Sequence, residues 1–305
     1  MTFPPEPPPR RVANIQVTPE LMAKSSSALR LALGHAESML GQGLDGTGRA
    51  QDVAAIKAGA HGERRAMRLW LYDMACDTAR LAQNSALDHL RALPADLTRE
   101  PGPVLSHLTL VRVALEAGGM FGYVTERGVD VRLLLARIAG VKIADNINAR
   151  NLAATHEDRD PNILAGQERA ILSFESTLAK AGVTHKLSQQ GWKVTETELE
   201  GHKTRGDIVI SKAAMAFLGE GHPGAYNLLS GGAHSRPWLL GTNETTTPDA
   251  GSVIYALSIT VGLLTAWLER WGAYTGNDVG PTVKKVRQPL EIVLQRAAAG
   301  DFNRA

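Results

Sequence analysis

Cysteine is almost missing from this 305-residue chain. Cys76 stands alone, so no intrachain disulfide can form and a fold held together by covalent staples is excluded. Aromatic residues make up only 5% against 44% hydrophobic residues overall, so a core of any size must be built from Leu, Ala, Val and Ile. Neither sign of charge dominates: 33 Lys and Arg against 31 Asp and Glu leave a formal charge of +2. That balance excludes recognition of nucleic acid, anionic membrane or acidic substrate by net charge alone, although not by a local patch. The N-terminus lacks the apolar core of a secretory signal, which together with the single thiol points to a reducing cytosol.

What is present reads as helix. Five of the first nine residues are proline, so residues 1–17 read as an extended, disordered tail before a single helical domain over 18–305. Thr18-Pro19-Glu20 is a helix start, combining a capping hydroxyl, a pre-set φ and a carboxylate at the positive dipole end, and the helix runs to Leu40. Residues 41–49 hold four glycines without apolar periodicity and read as a mobile connection; they lack the Gly-Lys-Ser/Thr of a phosphate-binding loop. Helices follow over about 61–93, ending at Pro94, and over 104–125, 129–154 and 161–180, with apolar residues three and four apart. Cys76 falls on the core side of the first of these.

Residues 183–206 mix Thr, Val, charge and Gly as a hairpin or exposed insertion would. Helices about 207–219 and 282–299 follow, the last shortened or kinked at Pro289. Ala250–Leu268 carries no charge for 19 residues, the least that spans a bilayer. Its Ser and Thr content and the acids Asp249 and Glu269 at its edges favour a helix buried in a bundle, with no membrane expected. The fold class is therefore all-α: a multi-helix bundle with one short irregular or hairpin insertion.

Two constellations carry polarity out of proportion to their surroundings. Between Pro101 and Thr125 the only formal charges are Arg112 and Glu116, four residues apart on one helical face. Burying such a pair rarely adds stability, so it is either a satisfied ion pair locking this helix to the next or part of a polar pocket. The second is Y-N-L-L-S-G-G-A-H-S-R-P, with Tyr226, Ser230, His234 and Arg236. No nucleophile elbow or nearby acid supports a Ser/His nucleophile there. A buried histidine bonded to a carbonyl is one reading; a phosphate or proton-transfer site with Arg236 as anion partner is the other.

An apolar helix bearing Arg112 and Glu116, a following helix with Arg132 and Arg137, and the late Tyr226-x-x-Leu-Ser230-x-x-x-His234 together resemble outlying bacterial members of the HEPN (higher eukaryotes and prokaryotes nucleotide-binding) superfamily. The resemblance implies a helical, often dimeric protein of a defence or stress system that binds RNA or a nucleotide, in many members as a metal-independent ribonuclease. It also implies a catalytic arginine four to six positions before a histidine. Arg150-NLAAT-His156 has that spacing with the polar Asn151 in place, and Arg30-LALG-His35 has it inside an ordinary amphipathic helix. Six helical residues leave Arg150 and His156 about 120° apart, so a turn or a second subunit would have to bring them together. On this reading His156 or His234 transfers the proton, Arg112, Glu116 and Arg137 form the polar centre with His234, and Tyr226, Ser230 and Arg236 contact phosphate. No cofactor or metal is expected; His156-Glu157-x-x-Asp160 resembles a zinc motif, but Pro161 breaks its helix. The competing expectation is a non-enzymatic oligomeric interaction protein in which the same residues form a buried network.

Overall fold

The computed structural model describes residues 18–100, 105–155, 161–206, 208–222, 224–233 and 250–301. The expected tail and the positions of His156, His234 and Arg236 lie outside these residues. Within them are ten α-helices and one small antiparallel sheet, an all-α bundle with a short β insertion.

Helix α1 (Pro19–Leu40) begins where the sequence places it, Thr18 Oγ1 accepting from the Leu21 amide at 3.2 Å. The glycine-rich stretch that follows departs from expectation, because α2 (Thr47–Gly59) starts inside it. This helix buries only Gly48, Asp52 and Ile56, so it has almost no apolar period to read. Polar and backbone contacts hold it instead. A Cβ at Gly46 or Gly48 would collide with the backbone of Thr275 or Tyr274. Asp52 accepts from Tyr72 at 2.8 Å and from Arg127 at 3.2 Å.

Helix α3 (Gly62–Thr98) runs past Pro94, where the sequence would have ended it. The missing N–H costs Leu90 O its helical donor, while Pro94 O itself accepts from Ser26 Oγ at 2.9 Å and from Thr98 Oγ1 at 3.1 Å, tying this turn to α1. Helices α4 (Ser106–Thr125), α5 (Val131–Thr155) and α6 (Pro161–Ala181) follow, and α3 packs on α1, α4, α5 and α6.

The insertion is a three-stranded meander, β1 (Val183–Leu187), β2 (Val194–Leu199) and β3 (His202–Arg205), rather than a hairpin. It is not an outlying flap. Val194, Thr197 and Leu199 are buried against the bundle, and Thr197 Oγ1 donates to Ala136 O of α5 at 2.8 Å. Glu196 and Glu198 face solvent and pair with Lys186 and Lys203. The β2–β3 turn places Glu200 in the left-handed region (φ 50°), held there by Arg68, whose guanidinium is 2% exposed.

Beyond the sheet, α7 (Ile210–Leu218) and α8 (Ala225–Ala233) pack on α4. Helix α9 (Ala250–Thr275) is long and apolar enough to cross a membrane, yet 61% of its apolar window is buried in protein. Trp267 and Trp271 lie in the core, Trp267 against Phe121 (centroids 4.5 Å apart) and Phe217 (5.2 Å). Helix α10 (Gly280–Ala298) continues through Pro289 and closes the bundle against α1 and α9.

Glycines set the closest approach between helices. A Cβ on Gly119 of α4 would lie 2.5 Å from Ala214 N of α7, and one on Gly118 would lie 2.6 Å from the Phe217 ring. The expected consequence separates packing from propensity. Gly119→Ala gains about 1 kcal/mol of helix propensity but incurs a backbone clash of about 1–3 kcal/mol, so its urea midpoint falls. Gly34→Ala, where nothing lies within 4 Å of the new methyl, should raise the midpoint.

Candidate functional site

The polar pair read from the sequence is real and has an unexpected partner. Arg112 Nε donates to Glu116 Oε1 at 2.9 Å, and Tyr226 OH from α8 donates to the same oxygen at 2.9 Å. The Arg112 guanidinium also lies over the Tyr226 ring, 5.5 Å from its centroid. The pair thus ties α4 to α8, not to α5 as the sequence led us to expect. Burial, with the bond to Glu116, pushes the Tyr226 phenol up, so it remains a donor at neutral pH. A cavity of about 280 Å³ opens beside Tyr226, Ser211, Lys212 and Asn227. Ser230 lies one turn further along α8 and is half-buried.

Arg137 does not join this trio. It projects from α5 into another cavity of about 420 Å³, which shares Lys212 with the one beside Tyr226. Its Nη1 donates to Glu126 Oε2 at 2.6 Å and to Tyr123 O at 3.1 Å, while the guanidinium stacks on the Tyr123 ring at 4.7 Å. Its Nε is buried with no hydrogen-bond partner among the described residues.

Three further cations line the same cavity, Arg205 from the end of β3, Lys212 from α7 and Arg270 from α9; Glu126 is the one carboxylate among its described lining residues. None of these three is paired with a carboxylate among the described residues. Arg270 instead donates to Ala216 O at 2.8 Å and lies over the Phe217 ring at 5.2 Å. Two glycine contacts make the convergence geometrically feasible. Gly119 lets α7 sit directly on α4, and a Cβ on Gly140 would lie 2.6 Å from Gly206 O, so the chain leaving β3 can run against α5. Tyr123 OH and Thr204 Oγ1, 3.1 Å apart, fix β3 to α4 at the rim.

Two of the other cations singled out in the sequence make contacts that tie neighbouring elements together. Arg150 bonds Asn151 Oδ1 and Gly191 O, each at 3.0 Å, pinning the β1–β2 turn to the end of α5. Arg132 pairs with Asp130, whose carboxyl it holds down at about 2, and with Glu200. Arg30 is exposed on α1 and His35 half-buried. Cys76 is half-buried rather than fully in the core, its thiol pushed up by burial and 3.7 Å from Tyr274 OH. No group of three or more metal-ligating side chains occurs among the described residues.

Sequence reading missed Arg205, Lys212 and Arg270, which lie in three segments with no shared motif. The available signal was faint: Lys212 is the one charge in the nine residues of α7. Comparison with known proteins finds no matching family, no matching curated protein and no matching solved structure.

The trio and the cation cavity can be separated by one hydroxyl. Tyr226→Phe removes a bond to a charged acceptor and should lower stability by about 1–2 kcal/mol in urea unfolding. If the trio is structural, anion affinity at the Arg137 cavity stays within about twofold; a tenfold loss would place Tyr226 in the binding site.

Proposed function

We propose that this chain binds an organic phosphate of the nucleotide class in the cavity between α4, α5, β3, α7 and α9. One observation carries this reading: among the described residues, four cations and a single carboxylate line the cavity, and three of those cations have no carboxylate partner there. Like charges converging on a partly enclosed space repel one another, and a bound anion relieves that repulsion while gaining charge-assisted hydrogen bonds. Three of the four are arginines, whose planar forks match phosphate oxygens. A volume of about 420 Å³ falls within the ~300–1,000 Å³ usual for small-molecule sites and is too confined for a folded nucleic acid.

The HEPN resemblance extends the reading from binding to metal-independent cleavage of RNA, with His156 and His234 as proton-transfer groups. Neither is among the described residues, and no histidine is among the described residues lining the basic cavity. Binding is therefore the part that geometry supports, and cleavage stands as a separate test.

Two measurements check these statements. In calorimetric titration with adenosine monophosphate, Arg205→Ala/Lys212→Ala should weaken binding by at least about tenfold, and raising the salt should weaken the wild type as expected for exposed ion pairs. Wild-type affinity that ignores both changes would remove the cavity from the account. For cleavage, RNA incubated with EDTA should yield 2′,3′-cyclic phosphate ends, lost in His156→Ala or His234→Ala; activity that persists in both variants would reject those residues.

A further inference from the structure

The basic cavity does not end at Arg270. Beyond that side chain lies a second cavity of about 480 Å³, which shares Ala216, Phe217 and Arg270 with the first; Leu218, Gly262 and Ala266 make its apolar wall, and His222 and Glu269 also border it. Its lining is mainly apolar, with Glu269 at its border, where its neighbour's is rich in cations. The floor is the small-residue stripe of α9 and the apolar end of α7. Gly262 is what makes room there: a Cβ at this position would lie 2.8 Å from His222 Nε2, so glycine lets the imidazole lie against the helix. Burial lowers the imidazole pKa, so this wall is uncharged at neutral pH.

Arg270 is the partition. Its guanidinium lies over the Phe217 ring, 5.2 Å from the centroid, and donates to Ala216 O, while its aliphatic stem can cover an apolar group. A bare oxyanion would fill only a small part of the first cavity and would leave the second one wet and unused.

We propose that the two cavities take one ligand: a phosphate ester whose phosphate engages Arg137, Arg205, Lys212 and Arg270 and whose apolar body lies on Phe217, Leu218, Gly262 and Ala266. This rests on the reading of the basic cavity as a phosphate site and names the ligand class that site accepts. Charge complementarity selects the phosphate end, and the shared wall selects an ester over a free ion. In a nucleotide the base would be that body; in other esters it is a ring or a short chain.

The test is a titration of the full chain with inorganic phosphate, phenyl phosphate and hexyl phosphate, on the wild type and on Ala266→Leu. At least one ester should bind about tenfold or more tighter than inorganic phosphate, the gain expected for burying a few apolar groups. Ala266→Leu should abolish that gain while leaving inorganic phosphate affinity unchanged, which also reports an intact fold. Whichever ester gains more identifies the body as ring or chain. Should Ala266→Leu weaken inorganic phosphate as well, Ala273→Leu, at an exposed position lining the same cavity, replaces it. Esters that bind no tighter than inorganic phosphate overturn the two-cavity inference but spare the phosphate site. If none of the three binds, both fall.

Discussion

The seat of α7 on α4 is the contact on which the rest depends. Two helices pack here backbone to backbone because Gly119 presents no side chain to Ala214, while Gly118 and Gly122 leave room for the Phe217 ring. Phe217 then reaches Trp267 and joins the central aromatic cluster, so a helix of nine residues is anchored through one ring and a glycine groove. With α7 drawn in this far, Lys212 comes to border the same space as Arg137, Arg205 and Arg270. Packing at this level of closeness tolerates little change, since interiors are as dense as organic crystals.

Charge state, not size, distinguishes the cavity beside Arg137 from the others described. A larger one, about 560 Å³ between α2, α3 and the start of α5, holds Arg68 and Arg132, but both are paired with carboxylates, Arg68 with Glu200 and Arg132 with Asp130 and Glu200. Its charges cancel locally and do structural work, holding the β2–β3 turn and the first turn of α5. The same holds for the Arg112–Glu116–Tyr226 trio, where each polar group has a partner from another part of the chain or from its own helix. Beside Arg137, by contrast, four cations gather with one carboxylate among the described residues. The buried pair Tyr72 and Tyr274, hydrogen-bonded to each other and kept protonated by burial, belongs to the structural class as well, joining α3 to the end of α9.

Much of the fold was legible because helix signals are local. Thr18-Pro19-Glu20 marks the start of α1 from residue types alone, and the uncharged run from Ala250 marks α9. The failures share a cause. Helix α2 escaped notice because it is fastened by Asp52 and by glycines meeting backbone, neither of which leaves a periodic trace. Helix α3 outran Pro94, where Ser26, 68 residues away, bonds the proline's carbonyl and ties the turn to α1, a tertiary contact that local residue types do not encode. The site was legible in the opposite proportion. Arg112 and Glu116 stand out as lone charges in an apolar helix and do meet, but they form a helix-to-helix tie. Arg137 stands out in the sequence, whereas the cations lining the same cavity, Arg205, Lys212 and Arg270, come from β3, α7 and α9 and are brought together by topology, which no local pattern encodes.

The central claim is that this cluster of cations is an oxyanion site built by the close seat of α7. Crystals grown with tungstate, a phosphate-like oxyanion with a strong anomalous signal, test it most directly. An anomalous peak among Arg137, Arg205, Lys212 and Arg270 in the native protein, lost when Gly119→Ala lifts α7 away, is the expected result. A native map whose tungstate peaks all lie elsewhere, with this cavity empty, would contradict it.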